Sequence, residues 1–406
     1  MSPEPQQSHY DIVIIGGAIY GSSVAWFAAS NEDFDGSILV VERDPTYEFS
    51  STAHTNSCMR QQFSAAINVR ISQFAADFVN NMPEHFGGDE RVPHIPVRSY
   101  GYMYLADNPD FAELLKESQA IQAANGAGTK HMSRAEIAHD YPFYFLDDII
   151  AANHNLIDEG YFEGGTLFDW WRRSARERGV EYIHNEVVGM DRNRSGTRIE
   201  GVRLASGQSI ACGKLVNASG PRAARTARMA GIDIPVEPRK RYSFIFTAEK
   251  PLDRDLPLTI DPSGVHMRTD TGSSYLAGCP PTISGADDPA VDYDDFDADH
   301  SLWEEHVWPV IAHRIPQFDA IRLTNSWVGH YAFNTFDQNA ILGPHSEVEN
   351  FYFVNGFSGH GLQQSPAMGR GTAEHLIYGE YRSLDLSPFH FDRIERGEPF
   401  LEKAVI

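Results

Sequence analysis

Apolar positions along this chain change spacing repeatedly, and the changes mark out strands and helices. Tyr10 to Ile15 is a short apolar run with β-branched residues, the pattern of a strand buried on both faces. Gly16 and Gly17 permit a sharp turn, and Ser22 to Ser30 continues as an alanine-rich apolar helix. A second strand, Ser37 to Glu42, ends on an acid. Helical spacing recurs over about Ala65 to Asn80, Asp110 to Ala123 and Gly164 to Arg178, the last stopped by Gly179. Tyr100 to Leu105 alternates like a strand. Tyr182 to Asp191, Glu200 to Ala205 and Gln208 to Cys212 read as a strand meander with an Ala-Ser-Gly turn at 205–207. KLVNASGPRAA, 214–224, predicts another strand entering a glycine turn and a helix, and strand-like segments dominate from Arg239 to Gly278. Asn350 to Val354 is a strand. In the helix that follows, Ser365 fits the N-cap, Pro366 the first position and Gly379 the C-terminal cap. Its small face, Ala367, Gly371 and Ala373, suits close packing beneath a flat ligand or strand.

The opening YDIVIIGGAIYG has the order strand, glycine turn, helix, and Glu42 lies 21 positions after Gly21 at the end of the next strand. That is a dinucleotide fingerprint. The helix N-terminus offers N–H groups and partial positive charge to a pyrophosphate, and the carboxylate takes a ribose hydroxyl. Ala18 stands where the fingerprint has its second glycine, so a methyl group lies where the backbone approaches the phosphates.

Composition narrows the remaining classes. The 406 residues suffice for roughly two or three domains, and 42% hydrophobic with 12% aromatic residues places the chain among globular proteins. A net charge of −23 repels phosphate, which argues against nucleic acid and anionic membranes as partners and leaves any anionic ligand to local arginines. No run of 18 apolar residues occurs, and MSPEPQQSH has no signal-peptide pattern. Cys58, Cys212 and Cys279 are too scattered for a disulfide framework or a zinc site, so a soluble protein of a reducing compartment, the cytoplasm, is expected. Residues 1–8 read as a disordered lead-in, and the acidic run at 287–299 as a solvated, charged approach to a helix rather than a calcium loop.

GGAIYG, VVER at 40–43, NASGPRAA at 217–224 and GFSGHG at 356–361 together resemble the FAD-dependent amine and amino-acid oxidases of the D-amino-acid oxidase superfamily. The branch containing sarcosine oxidase, glycine oxidase and the complex I assembly factor type is the most similar, over about Tyr10 to Tyr378. The resemblance implies an α/β fold with a discontinuous Rossmann-like FAD-binding domain (9–85, 150–230 and 335–406) and an inserted β-rich substrate-binding domain (86–149 and 231–334). It implies FAD contacts from Gly16, Gly17, Ala18, Ile19, Tyr20 and Gly21, and from Glu42, Arg43, Ser51, Thr52 and His54. Further contacts are expected from Val187, Val188, Ala218, Ser219 and Gly220, and from Gly356, Gly359, His360, Gly361, Leu362 and Gln363. The turn and helix of the last group lie against the flavin's pyrimidine end in that family, where a helix N-terminus stabilises charge on the reduced ring.

The implied reaction is hydride transfer from the carbon beside an amine nitrogen to flavin N5, hydrolysis of the imine, and reoxidation by oxygen to give hydrogen peroxide. Sarcosine oxidases hold the substrate carboxylate with an arginine and a lysine. Arg60 occupies the region of the arginine, but the lysine position is Gln363. Arg268 and Arg241 are candidates for the missing cation, since a guanidinium binds carboxylate bidentately; the alternative for each is an ordinary ion pair. The catalytic-site candidates are therefore His360, Arg60 and Arg268. His266, His330 and Tyr331 are weaker candidates for the substrate pocket, and no residue is singled out as a general base. The cysteine that carries flavin in some relatives aligns near His330. His54 lies where others have a flavin-linked histidine, but Ala53 replaces the tryptophan before it, so non-covalent FAD is expected. The oxygen-activating lysine falls near Leu276. Oxidation of a small secondary amino acid such as sarcosine or iminodiacetate follows as the first expectation. A dehydrogenase using an electron carrier, and a flavin-holding assembly factor or subunit, are the alternatives.

Overall fold

The computed structural model describes residues 2, 4–281 and 288–403. The chain opens with β1 (His9–Ile15), α1 (Ile19–Ala29) and β2 (Ile38–Glu42). A short β3 (Cys58–Met59) precedes α2 (Ala66–Asn80) and α3 (Met82–His85). Then come β4 (Tyr102–Ala106), α4 (Pro109–Ala124), β5 (Lys130–Ser133), α5 (Arg134–Asp140), β6 (Ala151–Asn155) and β7 (Gly160–Tyr161). The middle of the chain supplies α6 (Gly164–Glu177), β8 (Glu181–His184), β9 (Val187–Arg192), β10 (Ile199–Leu204), β11 (Ser209–Asn217) and α7 (Ala223–Arg228). Next are β12 (Val236–Ala248), β13 (Leu258–Ile260), β14 (His266–Thr269), β15 (Ser274–Cys279), α8 (Trp308–Arg314) and β16 (Ile321–Asn334). The last elements are β17 (Ile341–Pro344), β18 (Phe351–Asn355), α9 (Gly361–Tyr378) and α10 (Asp392–Glu395).

Two eight-stranded sheets organise these elements. The first runs β17-β18-β11-β1-β2-β8, with β10 beside β11 and β9 beside β10. β1 pairs in parallel with both β2 and β11, β2 with β8, and β11 with β18. Parallel central strands are covered on both faces. Ile12, Ile14, Val40 and Val216 pack under the helical side with Trp26, Trp171 and Met368, while Val13, Leu39, Val41 and Leu215 pack against Val202, Ala223 and Phe353. Parallel pairing also brings the C-terminal ends of β1, β2, β11 and β18 to one edge, where ligands bind open α/β sheets. The second sheet runs β16-β12-β15-β14-β13-β4-β6-β5 and is antiparallel apart from β13 against β4. Its β6 comes from within 150–230, the stretch assigned from sequence to the cofactor unit.

Several boundaries differ from the sequence pattern for identifiable reasons. α1 begins at Ile19, earlier than Ser22. The run 182–191 breaks at Asn185 and Glu186 into β8 and β9, which sit at different places in the first sheet, and the two runs 208–212 and 214–217 are one strand, β11. α9 starts at Gly361, so Ser365 and Pro366 are interior rather than cap and first residue. The proline cannot bond back to the Leu362 carbonyl, and Ser365 Oγ donates to that carbonyl instead, at 2.6 Å. Gly379, with φ +76°, ends the helix as expected. The small residues of α9 allow close packing within the protein: a Cβ on Gly371 would lie 2.4 Å from Leu386 Cδ1, and one on Gly369 1.9 Å from Ser23 Oγ of α1. The described part of the lead-in runs beside β8, with Ser2 O accepting from His184 N at 2.8 Å. Among the described residues no helix is long and apolar enough to cross a membrane.

Candidate functional site

The strand ends of the first sheet open into a cleft enclosing about 2190 Å³ of empty space, part of it open to solvent. Its wall on the other side is the β12–β16 edge of the second sheet. Gly16 makes the first turn with φ +96°, and a Cβ there would lie 2.5 Å from Ala218 O, so only glycine lets β1 and β11 converge. Glu42 Oε2 accepts from Gly17 N at 2.8 Å and Oε1 from Asp44 N at 2.7 Å. Burial raises the Glu42 pKa, while these two N–H groups favour its charge. Both oxygens are thus oriented at the cleft wall, each with acceptor capacity left. Ala18 has φ −70°, an unstrained conformation, and lines the cleft with its methyl present.

The second wall of the cofactor end comes from a segment more than 300 residues away. Tyr20 in the first turn of α1 stacks on Phe357, with ring centroids 3.8 Å apart, and donates to Gly361 O at 2.6 Å. The N-terminal turns of α1 and α9 therefore open into one space, and helix geometry leaves the first N–H groups of each without intrahelical partners. Thr52 Oγ1 accepts one of them, Ile19 N, at 3.3 Å, and Ser51 Oγ donates to His330 O at 2.6 Å. Ser219 is held by Asn217 and Thr226 at 2.7 and 2.8 Å. Tyr47, Ser57 and Ser358, all on this cleft, have φ of +59°, +50° and +47°. Such left-handed non-glycine residues concentrate where function over-determines the backbone.

Arg60 lines the cleft beside α9 and is 2% exposed. Its Nη1 donates to Gln62 O at 2.8 Å and to Tyr104 Oη, and its Nη2 donates to His360 Nε2 at 2.8 Å. Gln363 Oε1 accepts from Arg60 N at 2.7 Å. His360 is therefore neutral with its proton on Nδ1. Burial and the Arg60 charge hold its pKa well below the usual value, and its Nε2 cannot take a proton from substrate. It positions Arg60. On β12, Arg241 also faces the cleft. Its guanidinium lies over the Tyr331 ring at 4.5 Å and forms a fork with Asp288, at 3.0 and 2.8 Å. A Cβ on Gly359, where φ is +93°, would come within 2.5 Å of that tyrosine ring.

His266 lines the cleft and accepts from Asn56 Nδ2 at 2.9 Å, while Asn56 Oδ1 accepts from Ser243 Oγ at 3.0 Å. Burial lowers the His266 pKa to about 4, so this relay is neutral. His330 Nε2 donates to Asp295 O at 2.7 Å and stacks on Phe296, which also faces His54. His54 Nδ1 donates to Ser50 O at 3.1 Å.

Other expected site residues lie behind the cleft surface. Gly17 and Gly21 shape the turn from within; a Cβ on Gly21 would lie 1.8 Å from Gly16 O. Gly356 packs toward Asn334 and Val236. Val188 is 51% exposed and alternates away from Val187, which does line the cleft. Arg268 is off the lining too. It is 2% exposed and bonds Thr269 O at 2.8 Å, Asp270 at 3.2 Å and Asn56 O at 3.0 Å, so it braces the loop of Asn56. The acidic run is largely exposed and leads into a helical segment as expected, but part of it also pairs with cations: Asp288 with Arg241, Asp294 with Arg43 and Arg222, and Asp295 with Lys240. Asp287 lies outside the described residues. Tyr47, Asn56, Tyr102, Arg222 and Tyr293 line the cleft without having been singled out. Arg222 was legible within NASGPRAA; Asn56 and Tyr293 carry no local pattern.

The glycine-lined turns, the two helix ends and the oriented Glu42 fit a dinucleotide. Residues 11–375 match the family described as "FAD dependent oxidoreductase". The chain is 35% identical to FAD-dependent oxidoreductase domain-containing protein 1 of Xenopus laevis, over 98% of this chain and 85% of that protein. It is 24% identical to sarcosine oxidase subunit beta of Rhizobium meliloti, over 99% and 92%. Among solved structures, L-proline dehydrogenase from P. horikoshii superposes with a TM-score of 0.81 at 26% identity, covering 98% of this chain and 100% of that one.

Proposed function

Because this chain belongs to the FAD dependent oxidoreductase family, we propose that it oxidises a small secondary amino acid while holding FAD non-covalently. The observation that carries this reading is that Arg60 and Arg241 line the same cleft into which α1 and α9 open. Gly16, Ala18, Glu42, Thr52, Ser219 and Gly361 would hold the cofactor. When bound, FAD supplies a two-electron acceptor for the hydride on the carbon beside the amine nitrogen, after which the imine hydrolyses and dioxygen takes the electrons as hydrogen peroxide.

The chain's own task is placement. A guanidinium grips the substrate carboxylate and fixes which C–H faces the cofactor. The same positive charge favours the amine as its free base, the form able to release hydride, so no general base is required. Neutral His360 and His266 add polar contacts without competing for that proton. The relatives named for sarcosine and L-proline act on secondary amino acids, which supports the substrate class. A dehydrogenase reading is favoured by one observation: Leu276, near which the oxygen-activating lysine of sarcosine oxidase falls, is a buried apolar residue of β15.

The test is anaerobic mixing of the yellow holoprotein with sarcosine, L-proline and iminodiacetate. Loss of flavin colour, restored by air with peroxide, is expected. Loss without recovery in air assigns the dehydrogenase, and no loss with any amine of a broad panel overturns the reading in favour of an assembly or subunit role. Arg60→Gln raises KM for the carboxylate substrate by at least about tenfold, the scale of one charge-assisted hydrogen bond; an unchanged KM removes its role.

A further inference from the structure

We propose that Asp288 is an internal stand-in for the substrate carboxylate: it fills the guanidinium fork of Arg241, and an anionic amino acid binds by displacing it. This rests on the amino-acid reading above and adds how the site selects its ligand.

The pair has the geometry an arginine uses for any carboxylate. Nη1 meets Oδ1 at 3.0 Å and Nη2 meets Oδ2 at 2.8 Å, two parallel charge-assisted bonds. The side chains are 13% and 19% exposed, so the contact is sheltered yet at the margin of the cleft rather than sealed in the core. Arg241 is fixed from below by the Tyr331 ring and from behind by Lys240 O, which accepts from Nη1 at 2.7 Å. Its fork cannot follow a departing carboxylate.

Asp288, by contrast, is tethered mainly through its main chain. Its carbonyl accepts from Arg239 Nη1, whose partner nitrogen donates to Glu237 at 2.9 Å. Rotation of the Asp288 side chain therefore frees the fork while the segment stays attached. The remaining charge near the carboxylate is Arg239, at 3.7 Å, a longer ion pair that opposes its release only weakly beside the two short bonds of the Arg241 fork.

Exchange of one carboxylate for another leaves the number of ion pairs unchanged. A neutral amine offers no replacement, so Asp288 stays in place and the fork is closed to it. Selection for the carboxylate thus comes from competition as well as attraction. The ligand sees only the fraction of molecules with the fork open, so its apparent affinity falls by that fraction.

The experiment titrates the holoprotein with acetate, an unreactive carboxylate, by calorimetry, and measures KM and kcat with sarcosine. Asp288→Asn is expected to bind acetate about tenfold tighter and to lower KM by a similar factor with kcat unchanged. Arg241→Gln is expected to weaken acetate binding below the parent. Asp297→Asn removes the same charge from the same exposed run and is expected to change neither. An acetate affinity for Asp288→Asn within twofold of the parent overturns the proposal, as does an equal gain in Asp297→Asn. If sarcosine still bleaches the flavin in that case, the amino-acid reading survives without this inference. If acetate tightens although no amine bleaches the flavin, the carboxylate competition stands and the oxidation reading falls.

Discussion

Glu159 provides the sharpest test of how the wall behind Arg60 is built. It is fully buried just before β7, where Oε1 accepts from Gln61 N at 2.6 Å and Asn155 Nδ2 at 2.9 Å, and Oε2 from Gln62 Nε2 at 2.8 Å. It therefore braces the residues flanking Arg60. Burial pushes its carboxyl from the ordinary 4.5 up to about 7, against the pull of those three donors and the Arg60 charge. The native pKa lies above the unfolded one, so this group's contribution to stability is complete below pH 4.5 and is lost as pH rises through about 7. Between pH 5 and 8 the loss amounts to roughly 2.5 kcal/mol. Neutral His154 and His266, held down to about 4, act in the opposite sense below pH 6.5, so the parent's own profile is a mixture. The difference between Glu159→Gln and the parent isolates the group. In urea unfolding followed by circular dichroism, the variant's stability relative to the parent should rise by about 2.5 kcal/mol from pH 5 to pH 8. The hydrogen bond that the amide forfeits only offsets the whole curve. A difference that stays flat across that window refutes the buried, proton-binding carboxyl.

Two further outcomes follow from the packing. Gly16→Ala places a side chain at φ +96° with its Cβ 2.5 Å from Ala218 O, which costs about 1–2 kcal/mol in backbone conformation alone and displaces the end of β11. Protein of unchanged circular dichroism but markedly lower flavin content per chain is expected, and a full complement of flavin argues against the turn as the cofactor cradle. Asp337 is a buried carboxylate gripped by Arg393 at 2.7 and 3.0 Å, so Arg393→Met should destabilise the protein by about 3–5 kcal/mol in urea unfolding; a loss under 1 kcal/mol shows that Asp337 is satisfied by its other donors.

Much of this architecture was legible because it depends on local pattern. A short apolar run rich in β-branched residues and ending in glycines reads as a buried strand that turns, and Glu42 at the end of the next strand follows from the same pattern. NASGPRAA and GFSGHG marked the other two strand ends, although nothing local shows that they share an edge with the first. The start of α9 was misplaced because Ser365 and Pro366 imitate an N-terminal signal; the Ser365 hydroxyl repairs the defect that the proline makes, a compensation invisible to spacing. The acidic run is solvated over most of its length, as its charge pattern implies, but charge patterning cannot say which cations face it. Asp288, Asp294 and Asp295 find theirs on β12 and on loops of the first sheet.

The sequence by itself determined the strand-turn-helix units, the dinucleotide chemistry they carry and the arginines available to an anionic ligand, since each depends on neighbours within a few residues. Tertiary structure alone decided which of those arginines meets the cleft. Arg241 and Arg268 look alike along the chain, yet strand pairing turns one toward the cleft, where Asp288 meets it, and seals the other against carbonyls and Asp270. Strand alternation gives a side chain one of two faces, and only the packing of the second sheet against the first says which face holds the ligand.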